Sequence, residues 1–276
     1  MTGQPAAEFR RRAWLCIAAA SAALAGTAQQ ARAQDVASKP CAVILMHGKW
    51  GMPQSPYLKP VVQKLEPACP VKLLEMPWSR MRLYDKPYAD ALAQIRQAVA
   101  EFRQAGVQWV AVGGQSFGAN ASLAYMAQVG DVDAVLPLAP GHVPENFYQI
   151  TEVRRGIDTA HQAVQAGQGD TLVEMTDINQ GQRRPVQPTA NALWSYFNPQ
   201  GWGNMRLSTA AFRKPVPVFW AIGTADSLYP EGSAAIYKNM SVHPDSRYEV
   251  VRANHATTPE VASDALIAWV KARVGR

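Results

Sequence analysis

Residues 107–125 constrain the fold more than any other stretch: Val-Gln-Trp-Val-Ala-Val-Gly-Gly-Gln-Ser-Phe-Gly-Ala-Asn-Ala-Ser-Leu-Ala-Tyr. The β-branched run at 107–112 reads as a buried strand, and a small-residue helix pattern begins at about Phe117. Between them Gly114-Gln115-Ser116-Phe117-Gly118 fits G-x-S-x-G. A strand that turns this sharply into a helix forces one residue into a strained conformation, and glycines two positions to either side leave room for the crossing. The Ser116 hydroxyl is then pushed out at the top of a sheet, beside a helix N-terminus whose partial positive charge stabilises developing negative charge.

The rest of the chain supplies that sheet. Apolar blocks at 41–46, 71–76, 132–138, 216–222 and 248–251 read as further strands. They alternate with helical patterns at 57–65, 89–104, 117–129 and 261–274, of which 89–104 places Leu92, Ile95, Val99 and Phe102 on one face. Solid apolar strands alternating with helices predict an α/β fold with a mostly parallel sheet covered on both sides. Between 143 and about 213 the pattern changes to short amphipathic patches rich in Gln, Gly, Asn and Arg, with an aromatic cluster of Trp194, Tyr196, Phe197 and Trp202. This stretch reads as an inserted, mostly helical lid, and the lid aromatics as its own core.

The N-terminus reads as an export signal. Arg10-Arg11-Arg12 precedes a short Ala-rich apolar run, and Ala31-Arg32-Ala33 fits a small-x-small cleavage site, so residues 1–33 would be removed and 34–276 would form the mature domain. The run is too short and too weakly apolar for the roughly 20 residues of a membrane span. Arg11-Arg12-Ala13-Trp14-Leu15 resembles a twin-arginine motif, although an ordinary secretory route fits as well. The expected location is periplasmic or secreted, with no membrane span in the mature protein. The chain's net charge of +6 is concentrated here: residues 1–33 carry four arginines against one glutamate, leaving a net of +3 for the remainder. That is too mild a balance to argue for nucleic acid. Cys41 and Cys69 are the cysteines that remain after cleavage. In an exported chain they suggest one disulfide if the strands they precede are neighbours; otherwise they are two buried thiols.

Sites in parallel sheets lie at the carboxyl ends of the strands. The turns that follow strands here carry His47-Gly48-Lys49, Ser79-Arg80, Ser116, His142, Asp226 and His255. A serine nucleophile needs a base, and the base needs an acid to fix its tautomer. In chain order Ser116, Asp226 and His255 meet that need, each just after a strand. Glu145, beyond the strand at 132–138, is the alternative acid. His243 competes with His255 but precedes its strand.

With His47-Gly48 after the first strand, Gly114-x-Ser116-x-Gly118, Gly223-x-x-Asp226 and His255 after the last strand, the chain resembles the α/β-hydrolase superfamily, in its exported bacterial, serine-hydrolase form. The resemblance spans 41–274 apart from the lid. It implies Ser116 as nucleophile, Asp226 as orienting carboxylate and His255 as general base and then acid. The oxyanion hole falls to the backbone N–H groups of Phe117 and Lys49. The turn departs from the triple-glycine lipase type, and Trp50 is the alternative second donor. His47 resembles the structural histidine of that turn, and His142 also reads as loop-structuring. The Lys49 ammonium is expected in solvent, or against an anionic group of the substrate. Trp50 and Trp78 are expected to line an acyl pocket. No cofactor and no metal are implied. The expected partner is a small-molecule acyl ester, with amide hydrolysis on the same fold, or a non-catalytic binding role, as the alternatives. Oligomeric state is left open by the sequence.

Overall fold

The computed structural model describes residues 40–274 apart from 230 and 242. The expected signal at 1–33 lies outside the described residues. Six strands form a parallel sheet, with its order set by pairing: β2 (Val71–Leu74), β1 (Cys41–Met46), β3 (Trp109–Ser116), β4 (Ala134–Pro140), β7 (Phe219–Gly223) and β8 (Arg247–Val251). Two further strands, β5 (Met175–Asn179) and β6 (Gln182–Val186), pair only with each other, antiparallel.

The sheet is parallel because each crossover carries a helix, and its central strands are buried almost throughout because both faces are covered, whereas the edge strands β2 and β8 carry Lys72, Arg247 and Glu249. In β1 every residue is buried. Its period of two sends Ala42, Ile44 and Met46 into one core and Cys41, Val43 and Leu45 into the other. The second core is closed by α1 (Lys59–Leu65), through Val61 and Leu65, and by the C-terminal α10 (Ser263–Lys271), through Leu266, Trp269 and Val270. The helix expected at 261–274 is therefore broken: a short α9 (Thr258–Val261) precedes α10. The first core is closed by α2 (Tyr88–Gln104) and α3 (Phe117–Gln128). Each fully buried Leu, Ile or Phe on these faces contributes about 1.5–3 kcal/mol relative to an exposed one.

The disulfide joins Cys41, at the start of β1, to Cys69, two residues before β2. The neighbouring-strand condition is met, since β1 pairs with β2 from Val43↔Val71 onward.

The segment between β4 and β7 is less helical than its sequence suggests. It contains α4 (Pro144–Phe147), α5 (Thr151–Gln165), α6 (Ala190–Phe197) and α7 (Met205–Ala210), but also the β5–β6 hairpin. Gln180 and Gly181 both take left-handed φ values (49° and 78°) at its tip, the backbone that a two-residue hairpin turn requires. The remaining helix, α8 (Glu231–Lys238), bridges β7 and β8.

Candidate active site

Ser116 ends β3 and directly precedes α3, with φ 57° and ψ −115°. A non-glycine residue in this region is strained, by about 1–3 kcal/mol, and persists only where its surroundings over-determine it. They do so here through the flanking glycines. A Cβ on Gly118 would sit 2.2 Å from the carbonyl oxygen of Met46, and one on Gly114 would sit 2.4 Å from the same atom. The strand-to-helix crossing thus packs against the end of β1 with no space for side chains. Trp50, Ala139 and His142 also have positive φ (55°, 45° and 63°), so left-handed non-glycine residues gather at the carboxyl edge of the sheet.

Around Ser116 the turns converge. Asp226 follows β7, and His255 follows β8. His255 Nδ1 lies 2.7 Å from Asp226 Oδ2. A carboxylate only accepts, so Nδ1 carries the proton and Nε2 is left with its lone pair. Nε2 is buried and has no hydrogen-bond partner among the described residues. The Leu228 N–H donates to Asp226 Oδ1 at 2.9 Å, which fixes the carboxylate. The two turns touch: a Cβ on Gly223 would lie 2.3 Å from the Ala253 oxygen. Gly141, after β4, sits between nucleophile and imidazole. A Cβ there would fall 2.8 Å from Ser116 Oγ, 3.2 Å from His255 Cε1 and 3.6 Å from His255 Nε2. Oγ and Nε2 are not hydrogen-bonded to each other; such bonds are often long in ligand-free proteins and tighten around substrate.

The other candidates fall into place around this group. Glu145 lies in α4 and does not pair with His255. His243 lines, with Trp109 and Val132, a separate cavity at the amino ends of the strands, and its Nδ1 accepts from Asp245 N. His47 is structural. Its Nε2 accepts from Met76 N at 3.1 Å, so its Nδ1 carries the proton and donates to the Gly48 oxygen at 2.8 Å. His142 is buried and stacked on Phe117 at 3.8 Å, and its Nε2 donates to the Tyr196 oxygen. Burial lowers the pKa of both rings, that of His142 strongly. Asn120 of α3, which sequence reasoning missed, donates to the oxygens of His142 and Gly203 and accepts from Tyr88 OH.

The backbone N–H groups of Lys49 and Phe117 carry no hydrogen bond among the described residues. The Trp50 N–H, the alternative donor, is occupied by the Trp78 oxygen at 2.8 Å.

Three expectations are corrected. The Lys49 ammonium is not in solvent. Its side chain is 3% exposed and pairs at 2.6 Å with Asp177 of β5, which is 0% exposed. Burial lowers the Lys49 pKa, and Asp177 offsets part of that shift. Trp78 cannot line a pocket: it is fully buried, stacked on Phe117 at 4.5 Å, with its Nε1 donating to the His47 oxygen. Trp50 is not among the residues that line the two cavities at Ser116, and its Nε1 donates to Asp177 Oδ2 at 2.9 Å.

Two adjoining cavities, of about 250 and 190 Å³, meet at Ser116, His255, Lys49, Asn179 and Gln180. The larger is bounded by Val143, Phe147, Ile178 and Leu228, the smaller by the amides Gln115, Asn179, Gln180 and Gln182. Hairpin residues line both, so the segment between β4 and β7 supplies a wall of the site. Of the lining residues missed in the sequence, Ile178, Asn179, Gln180 and Gln182 lie on that hairpin, and Val143, Asn146 and Phe147 lie in the turn and helix after β4.

No protein-family model and no curated protein matches the sequence. Solved structures do. The chain is similar to Est1E from Butyrivibrio proteoclasticus, solved with ferulic acid bound, at a TM-score of 0.63 and 17% identity over 86% of this chain and 91% of that one. It is similar to the α/β hydrolase GrgF from Penicillium sp. sh18, at 0.63 and 16% over 87% and 92%. The chain has the α/β-hydrolase fold. A monoacylglycerol lipase from Paleococcus ferrophilus shares the fold too, at a TM-score of 0.61 and 16% identity over 83% of this chain and 93% of that one.

Proposed function

We propose that this chain is a serine hydrolase that cleaves a carboxylic ester through an acyl-enzyme. One observation carries the reading: Ser116 is held in a left-handed conformation beside an imidazole whose far nitrogen is bound by Asp226 and whose near nitrogen is free to accept a proton. Ser116 Oγ attacks the acyl carbonyl while His255 Nε2 takes its proton. The oxyanion is received by the N–H groups of Phe117 and Lys49. His255 then protonates the departing alcohol, and the same steps with water release the acid. The segment 143–213 acts as a lid that shapes the acyl and alcohol sites. The larger cavity, of about 250 Å³, takes the acyl group, and its size favours short chains. Residues 1–33 direct export, and the Cys41–Cys69 disulfide is in keeping with an oxidising compartment.

The test is hydrolysis of p-nitrophenyl esters from acetyl to palmitoyl by the mature protein and by Ser116→Ala. The expected result is activity that peaks at short chains and falls by more than about 10⁴-fold in the variant. A protein that neither hydrolyses these esters nor labels with a fluorophosphonate at Ser116 is a binding protein, and the reading is wrong.

A further inference from the structure

Asp177 is a carboxylate with no exposure to solvent and four donors. Oδ1 accepts from Lys49 Nζ (2.6 Å) and from the Ile178 N–H (2.8 Å), and Oδ2 accepts from Trp50 Nε1 (2.9 Å) and Tyr84 OH (2.6 Å). Two of the four donors are consecutive side chains of the turn after β1, and that turn carries the Lys49 N–H. The grip continues around it. Asn179 Nδ2 donates to the Lys49 oxygen at 3.1 Å, and Lys49 Nζ also reaches the Ile178 oxygen at 3.0 Å. The ammonium also lies 4.1 Å from the ring centroid of Phe147 and 5.1 Å from that of Phe197.

The backbone explains why such a grip is needed. Lys49 N–H belongs to the peptide unit whose oxygen is Gly48 O. A peptide is planar, so fixing that oxygen fixes the direction of the N–H. Gly48 O is held by His47 Nδ1 and by the Gly51 N–H. The Gly51 contact closes a turn in which Trp50 takes a φ of 55°, a region that a bulky side chain avoids. The Trp50 N–H is tied to Trp78 O, and its indole is tied to Asp177.

We propose that Asp177, from the hairpin, is a positioning residue for the oxyanion turn: by holding Trp50 and Lys49 it keeps the turn in its left-handed form and the Lys49 N–H aimed at the oxyanion. This rests on the ester-hydrolase reading above. It makes the hairpin part of the catalytic apparatus as well as a wall of the cavity.

The experiment compares steady-state kinetics of the wild type, Asp177→Asn, and Asp177→Asn combined with Trp50→Gly, well below their melting temperatures. Loss of one oxyanion donor typically costs on the order of 100 to 1,000-fold, and a turn that is loosened but present should cost roughly 10 to 100-fold in kcat, with KM within about threefold. Glycine adopts positive φ freely, so the double variant should recover at least about fivefold of the lost kcat. A merely structural role would lower thermal stability without that recovery. Wild-type kcat in Asp177→Asn, or no recovery in the double variant, overturns the proposal. If Asp177→Asn does not fold, Trp50→Phe decides, because it removes one donor and orphans no charge: a fall of about fivefold or more supports the proposal, and unchanged kcat overturns it. A wild type that hydrolyses no ester overturns the parent reading and this one together. An active wild type with an equally active Asp177→Asn overturns this one alone.

Discussion

The imidazole of His255 and the carboxylate of Asp226 meet at 2.7 Å, with the Asp226 side chain 1% exposed. Asparagine has the same shape but presents an N–H₂ or a neutral oxygen. Asp226→Asn should therefore fold normally and lower kcat by roughly 10³ to 10⁴-fold, by favouring the wrong tautomer and failing to stabilise the imidazolium. Burst kinetics with a p-nitrophenyl ester would locate the loss in acylation. A variant within tenfold of wild type would return Glu145 to consideration as the acid.

Gly141→Ala should silence the site without unfolding the protein. The new methyl would stand 2.8 Å from Ser116 Oγ and 3.2 Å from His255 Cε1. The hydroxyl can escape by rotating about χ1, so the fold survives, but the rotation takes Oγ away from the imidazole. A misplacement of about 1 Å costs on the order of 100-fold in rate, and kcat/KM should fall at least that far with little change in Tm.

Acid should weaken the fold through His47 and His142. Burial holds the folded pKa of each ring below its ordinary value, so between that ordinary value and the folded one the unfolded chain binds more protons. Stability is therefore unaffected well above about pH 6.5. Below that pH it falls, by up to about 1.4 kcal/mol per pH unit for each ring, until the folded pKa is reached. Urea titrations at pH 8, 6 and 5 would show this slope, and His142→Gln should reduce it to the part that His47 supplies.

Reduction of Cys41–Cys69 should destabilise the protein without disabling it. The bond closes a loop of 28 residues, for which chain entropy gives about 3–4 kcal/mol. In a domain of this size that corresponds to a Tm lower by roughly 10 °C. Cys41 stands at the amino end of β1 and the His47 turn at the other, about 20 Å away at 3.3 Å per residue. At 25 °C, kcat of the reduced protein should match that of the oxidised one. A large fall in kcat would mean that the strand edge and the site are coupled.

Much of this architecture could be read from local pattern. The central strands are mostly apolar blocks, and each candidate residue, Ser116, Asp226 and His255, lies at the end of a strand or within four residues of it. Periodicity and turn position are short-range signals, and the sheet turns them into a shared edge. The hairpin escaped because its strands are weak by composition: Gln182-Arg183-Arg184-Pro185-Val186 is mostly polar and contains a proline. The one available signal was Gln180-Gly181, a pair that lacks the Asn-Gly signature of such turns. Lys49 was misplaced for a different reason. A lysine reads as solvated unless its counter-charge is known, and Asp177 lies 128 residues further on, in the stretch with the least pattern. Trp78 was drawn to the pocket by its place after β2, where it in fact fills the space under Phe117.

The helix that begins after Ser116 buries every residue from Phe117 to Ala127. It lies between the sheet and the segment that follows β4, and it meets water on no side until Gln128, its last residue. A saturation scan across this helix would therefore lack the three-to-four-residue rhythm of tolerated positions that surface helices display. Charge would be accepted at its C-terminal end and almost nowhere else. Substitutions near the serine are thus confined to side chains close in size to those they replace, and changes in the shape of the cavities have to arise on the hairpin and loops that line them.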